Sequence, residues 1–92
     1  MENNFRWIFI PRDIWLDKKL NLIQKILLIE IDSFIQSNWK CIETNKYFAK
    51  FYWVTTTHIS KSINELAKLW YINIELIYAE NSKQIIERKI TR

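Results

Sequence analysis

Between Thr55 and Trp70 the apolar residues Ile59, Ile63, Leu66 and Trp70 recur at helical spacing, while Thr56, Thr57, Ser60, Lys61, Asn64 and Lys68 take the opposite side. The pattern predicts an amphipathic helix from Thr55 to Trp70. Its polar side carries short hydrogen-bonding groups and amines without a carboxylate. A longer helix is predicted from Leu20 to Ser37. There Leu20, Ile23, Leu27, Ile31 and Phe34 form a stripe that Leu22, Ile26, Ile29 and Ile35 widen, leaving Gln24, Lys25, Asp32, Ser33 and Gln36 as the polar positions. A helix apolar around most of its circumference is buried on several sides, so this one is expected at the centre of the core.

Shorter elements fill the intervals. Phe5 to Ile10 alternates loosely and suits an extended segment. Pro11 can open a helix because its missing N–H is not needed in the first turn, and Pro11 to Leu16 reads as a short helix held to the core by Ile14 and Trp15. Asp17 or Asn21 can cap the long helix, and Asn38 is the candidate for a left-handed residue ending it. Trp39 to Glu43 suits a brief strand. Thr44 then caps a helix from Asn45 to Tyr52, with Phe48 and Phe51 inward, Ala49 closely packed, and Lys46 and Lys50 outward one turn apart. Trp53-Val54 forms a turn, and Thr55 caps the amphipathic helix. After Trp70 the period changes to alternation, with Ile72, Ile74 and Leu76 on one face and Asn73 and Glu75 on the other. A polar turn from Ala79 to Lys83 and a return strand from Ile85 to Thr91 complete a hairpin over 71–91, with Asn81, Ser82 and Lys83 at its tip.

The chain of 92 residues, 49% hydrophobic and 15% aromatic, is sufficient for one folded domain, and this composition excludes intrinsic disorder. The fold class expected is α+β, mainly α, as a single domain over 1–92, whether complete or the front part of a longer protein. Unbroken apolar runs, such as Ile26 to Ile29, stay far short of the roughly 20 residues that span a bilayer. Met1-Glu2-Asn3-Asn4 lacks the basic start of a signal peptide, so a cytoplasmic protein without a membrane partner is expected. Cys41, the sole cysteine, can form neither an internal disulfide nor a cysteine-based zinc site and reads as a small half-buried residue.

The net charge of +4 is unevenly spread. Residues 1–39 balance, residues 40–68 carry five lysines against Glu43 and Glu65, and residues 81–92 carry Lys83, Arg88, Lys89 and Arg92 against Glu87. Positive charge therefore gathers on the segments around the amphipathic helix and the hairpin, as a phosphate-binding surface requires.

Helix, helix, brief strand, short helix, tight turn, long helix and hairpin is the order of a winged helix-turn-helix, a helical core with a C-terminal β-hairpin wing. From Thr44 to Ile74 the chain resembles the helix-turn-helix of many phage and plasmid proteins, in which a cap, an Asn-Lys-Tyr-like helix start, a turn and a Ser/Thr-capped recognition helix lead through Gly-Tyr-Ile into the wing. Ile10-Pro11-Arg12-Asp13-Ile14-Trp15-Leu16 and the apolar helix after it resemble the N-terminal part of such domains in phage replisome organisers and plasmid replication initiators. The chain departs from them in holding Trp53 and Trp70 where they usually carry glycine at the turn and at the start of the wing.

The resemblance implies double-stranded DNA binding in replication initiation, with transcriptional regulation by the same fold as the alternative. Thr56, Thr57, Ser60, Lys61 and Asn64 are the base-reading candidates: Asn64 can pair with adenine, Lys61 can reach guanine, and threonine methyls can meet the thymine methyl. Thr44, Lys46, Lys50, Lys68, Asn81, Ser82, Lys83 and Arg88 are the phosphate candidates. Pairing with a second copy is expected, because one module buries little DNA. The rival from another class is a winged-helix protein-interaction module without DNA binding, which the two tryptophans favour.

Other chemistry finds few parts. Tyr47, Tyr52, Trp53, Trp70 and Tyr71 could stack on single-stranded bases, but aromatics at helix ends are expected to pack in the core or at hinges. His58, the only histidine, reads as a surface or capping residue in the first turn of its helix, and no metal site is expected around it. With one histidine, one cysteine, no glycine-rich phosphate loop and scattered carboxylates, the chain reads as a non-enzyme without cofactor or small-molecule ligand.

Overall fold

The computed structural model describes residues 9–92. Residues 5–8 of the expected extended segment lie outside that range, and Phe9 and Ile10 have no regular structure. The chain is α+β and about half helical: α1 (Arg12–Trp15), α2 (Leu22–Asn38), α3 (Asn45–Tyr52) and α4 (Thr56–Lys68) precede the hairpin strands β1 (Asn73–Tyr78) and β2 (Ile85–Thr91).

Each of the three longer helices starts on a side-chain cap. Asn21 and Gln24 form a reciprocal capping box that satisfies two first-turn N–H groups of α2. The hydroxyl oxygens of Thr44 and Thr55 accept from the Tyr47 and His58 N–H groups at 3.2 and 3.0 Å. Thus α2 starts at Leu22 rather than Leu20, and Asn21, not Asp17, is its cap.

The core lies where α4 packs on α2 and α3. Leu27, Leu28 and Ile31 of α2, Phe48 of α3, and Ile59, Ile63 and Leu66 of α4 are buried. Full burial contributes roughly 1.5–3 kcal/mol for each such side chain, which makes this junction the main source of stability. As expected of a helix buried on several sides, α2 also buries two polar residues, Gln24 and Glu30. Gln24 was expected at a polar position, but its side chain is drawn inward to the cap and to Glu65, whose carboxylate accepts from Gln24 Nε2 at 3.3 Å. In α3, Tyr47 stacks on Phe51 and Phe48 on Tyr52, each pair one turn apart, with Tyr47 also edge-on to Phe34.

The hairpin is antiparallel with Ile74 opposite Ile90 and Leu76 opposite Arg88, and its register shifts at Ile77/Tyr78. The brief strand expected over 39–43 reduces to one bridge, in which Cys41 and Ile90 exchange backbone hydrogen bonds of 2.9 and 2.8 Å. Both residues are fully buried, so Cys41 is more enclosed than the half-buried position expected, and burial pushes its thiol pKa up.

Tryptophan is where the pattern misleads. Trp15 does not anchor α1; it is 52% exposed, with Lys25 Nζ 5.1 Å from its ring, and Ile14 alone packs against the core. Trp70 belongs neither to α4 nor to its apolar face, because the helix ends at Lys68 and the indole is 88% exposed. Trp39 and Trp53 are 88% and 93% exposed. All three adopt left-handed backbone, with φ of 68°, 60° and 67° at Trp39, Trp53 and Trp70. The left-handed end of α2 therefore falls on Trp39, one residue beyond Asn38. Neither Trp53 nor Trp70 packs in the core, whereas Tyr47, Tyr52 and Tyr71 do pack against it.

Candidate nucleic-acid interface

The polar side of α4 opens onto a shallow concavity lined by Thr56, Thr57, Ser60, Lys61 and Asn64. These are the five base-reading candidates, brought together because the opposite side of the helix is fixed by Ile59, Ile63 and Leu66 in the core. Asn45, at the start of α3, completes the lining. A second concavity adjoins the first through Lys61 and Asn64 and adds Lys19, Glu65, Lys68 and Leu69. The polar strip thus runs along α4 from the start of α3 to the residues preceding α2.

Glu65 is the one carboxylate on this strip, at its edge, where the hydrogen bond from Gln24 turns it toward α2. Threonines 56 and 57, Lys61, Asn64 and Lys68 are exposed, and Ser60 is half-buried. His58 is exposed in the first turn of α4, with its N–H given to the Thr55 cap.

The phosphate candidates divide. Lys46 and Lys50 are exposed on the outer side of α3, Lys68 lies on the strip, and Thr44 is exposed while capping α3. Asn81, Ser82 and Lys83 form the exposed hairpin tip, where Asn81 takes φ of 55° and the Ser82 hydroxyl oxygen accepts from the Gln84 N–H. They line neither concavity of α4. Arg88 does not serve as an outward cation. Its guanidinium donates to Asn45 Oδ1 at 2.5 Å and to the Glu43 carbonyl at 2.7 Å, and burial lowers its pKa. It holds β2 against the start of α3.

Two residues of the strip escape sequence reasoning. Lys19 belongs to the loop before α2 and meets α4 only through the tertiary fold; the Lys18-Lys19 pair was its one signal. Asn45 was signalled by its place directly after the Thr44 cap. Lys19 is held by its N–H donating to Asp17 Oδ1 at 2.9 Å and by its ammonium 5.6 Å from the Tyr71 ring. The Tyr71 hydroxyl in turn donates to Asp17 Oδ2, which lowers the Asp17 pKa and raises that of the phenol.

A separate trough between the hairpin and the segment after Cys41 joins the apolar Ile42, Leu76, Ile85 and Ile86, each between 41% and 62% exposed, to the polar Glu43, Thr44, Asn45, Glu87 and Arg88. Among the described residues no group of three or more histidine, cysteine or carboxylate side chains could hold a metal ion, and no helix is long and apolar enough to cross a membrane. No family model matches the chain, and no curated protein or solved structure does.

Proposed function

We propose that this chain is a winged-helix domain that binds double-stranded DNA, with α4 as recognition helix in a major groove and the hairpin as wing. The observation carrying the reading is the polar strip of α4, on which donors, acceptors and amines are exposed side by side and the one carboxylate, Glu65, stands at the edge accepting from Gln24. A groove-reading helix needs side chains that match base edges together with cations that tolerate the phosphates on either side. Lys46 and Lys50 on α3 and Lys19 and Lys68 on the strip supply those cations. The element order supports a winged helix, and the Cys41–Ile90 bridge ties the hairpin to the segment before α3.

Replication initiation in a phage or plasmid is the role favoured by the resemblance at Ile10–Leu16 and Thr44–Ile74, with transcriptional regulation as its alternative. A homodimer on paired half-sites would supply the affinity that one module lacks. Selecting duplexes from a random pool, then titrating the enriched duplex at rising salt, tests the reading. Enrichment of a defined sequence and steep loss of affinity with salt are expected. Failure to bind any duplex, or binding indifferent to salt, sinks it and leaves a protein-interaction module, the second reading, which the exposed Ile42, Leu76, Ile85 and Ile86 trough favours.

A further inference from the structure

The left-handed tryptophans form a set that no folding requirement for an indole explains. Among the described residues four non-glycine positions have positive φ: Trp39, Trp53, Trp70 and Asn81. Asparagine tolerates this region because its short side chain bonds locally; tryptophan carries the full Cβ penalty. Two of these tryptophans sit in motifs built around glycine. Val54 N–H bonds to the Ala49 carbonyl at 3.2 Å across Trp53, and Tyr71 N–H bonds to the Leu66 carbonyl at 3.0 Å across Trp70, which is the Schellman closure of a helix end. Trp39 stands at the end of α2 in the same conformation.

The indoles bury little surface that could repay the backbone, Trp53 only edging a hollow with Tyr47, Lys50 and Phe51. They are 88%, 93% and 88% exposed, and among the described residues none of the three is in an aromatic pair or beneath a cation. Trp15 is the contrast, being right-handed, half as exposed as its namesakes or little more, and paired with Lys25. The composition completes the pattern. The chain has five tryptophans and no glycine, whereas average usage of about 7% would put roughly six glycines in a chain of this length.

The codon table connects the two residues. UGA is a stop in the standard code, tryptophan in several variant codes and glycine in another, so a gene that uses UGA for glycine yields tryptophan at each such position when translated by a table that reads UGA as tryptophan. We infer that the protein made in its own host carries glycine at positions 39, 53 and 70, each encoded by UGA, and tryptophan at position 15, encoded by UGG. The consequence for the molecule is steric. Trp53 stands in the turn that leads into α4 and Trp70 in the segment that leads from it into the hairpin, and with glycine neither turn carries a side chain. The inference does not rest on DNA binding.

Tryptic peptides of the protein isolated from its host separate the positions, since residues 13–18, 26–40, 51–61 and 69–83 each hold one tryptophan. Mass spectrometry is expected to find tryptophan retained in 13–18 and each of the other three peptides lighter by the difference between a tryptophan and a glycine residue. The gene should read TGG at codon 15 and TGA at codons 39, 53 and 70. Tryptophan masses in the latter three peptides, or TGG at those codons, overturn the inference.

Discussion

Arg88 on β2 donates to Asn45 Oδ1 at 2.5 Å, so the side chain expected to reach outward to phosphate instead ties the hairpin to the first residue of α3. The same guanidinium holds the Glu43 carbonyl, which fixes the approach of the chain to the Thr44 cap. Arg88→Ala removes both bonds from a half-buried site. Because hydrogen bonds to charged groups contribute roughly 1.5–3 kcal/mol each, a loss of about 3 kcal/mol, at the low end for two bonds in a half-buried site, is expected in urea unfolding. If DNA is bound, the slope of affinity against salt should be unchanged in this variant, since a cation engaged internally releases no counterion. A slope reduced by about one would return Arg88 to the phosphate contacts.

Replacing the exposed tryptophans by glycine should stabilise the fold. Left-handed backbone costs a non-glycine residue roughly 1–2 kcal/mol, and the greater freedom of unfolded glycine takes back about 0.5–1 of it. The net gain is then roughly 0–1.5 kcal/mol at each position, and the triple variant W39G/W53G/W70G should gain about 2 kcal/mol, at roughly 4–8 °C in Tm per kcal/mol for a domain of this size. Trp15→Gly should move the midpoint down, because that residue is helical and its ring pairs with Lys25. Thermal unfolding of the four variants measures both effects. A triple variant less stable than the parent would mean that the indoles pack against something in solution.

The sequence announces what depends on short range. Period and cap together located α2, α3 and α4 to within two residues, because apolar spacing and a Ser, Thr or Asn before it act over one or two turns. The alternation of 72–76 located the hairpin for the same reason. Trp39, placed in the expected strand, and Trp70, placed on the apolar face of α4, mislead because hydrophobicity assigns an indole to a packed position while the local backbone demands a left-handed residue; the resemblance, which puts glycine at positions 53 and 70, makes the backbone requirement legible there. Arg88 and Lys19 were misread or missed because their surroundings are tertiary: Asn45 is 43 residues from Arg88, and α4 reaches Lys19 only across the fold. The five candidates on α4 were legible because one helix carries them all.

The Asp17–Tyr71 pair should make stability depend on pH at both extremes. The hydrogen bond from the phenol holds the Asp17 carboxyl below its ordinary range, so its contribution is present above about pH 4 and is lost as pH falls through the folded-state pKa. The same bond raises the phenol, whose contribution is present below about pH 10 and is lost as pH rises through its folded-state value. Tyr71→Phe should flatten both limbs of the stability profile while Asp17→Asn flattens chiefly the acid limb, as read by urea midpoints across pH. Profiles superimposable on the parent's would show that the pair does not persist in solution.

If α4 reads a groove, its residues should separate into two energetic classes. Asn64→Ala removes a side chain able to pair with adenine in two hydrogen bonds, and should cost roughly 1–3 kcal/mol on the selected duplex while leaving random duplex affinity nearly unchanged. Lys46→Ala and Lys50→Ala should weaken selected and random duplexes alike, each lowering the magnitude of the salt slope by about 0.9. Lys19 provides the sharper check on geometry. It lies outside the helix-turn-helix segment yet shares the concavity with Lys61, Asn64 and Lys68, so Lys19→Ala should behave as the α3 lysines do. A variant that leaves both affinities and the slope untouched would put the DNA backbone away from the α2 side of the strip, and α4 would then have to dock with the start of α3 leading.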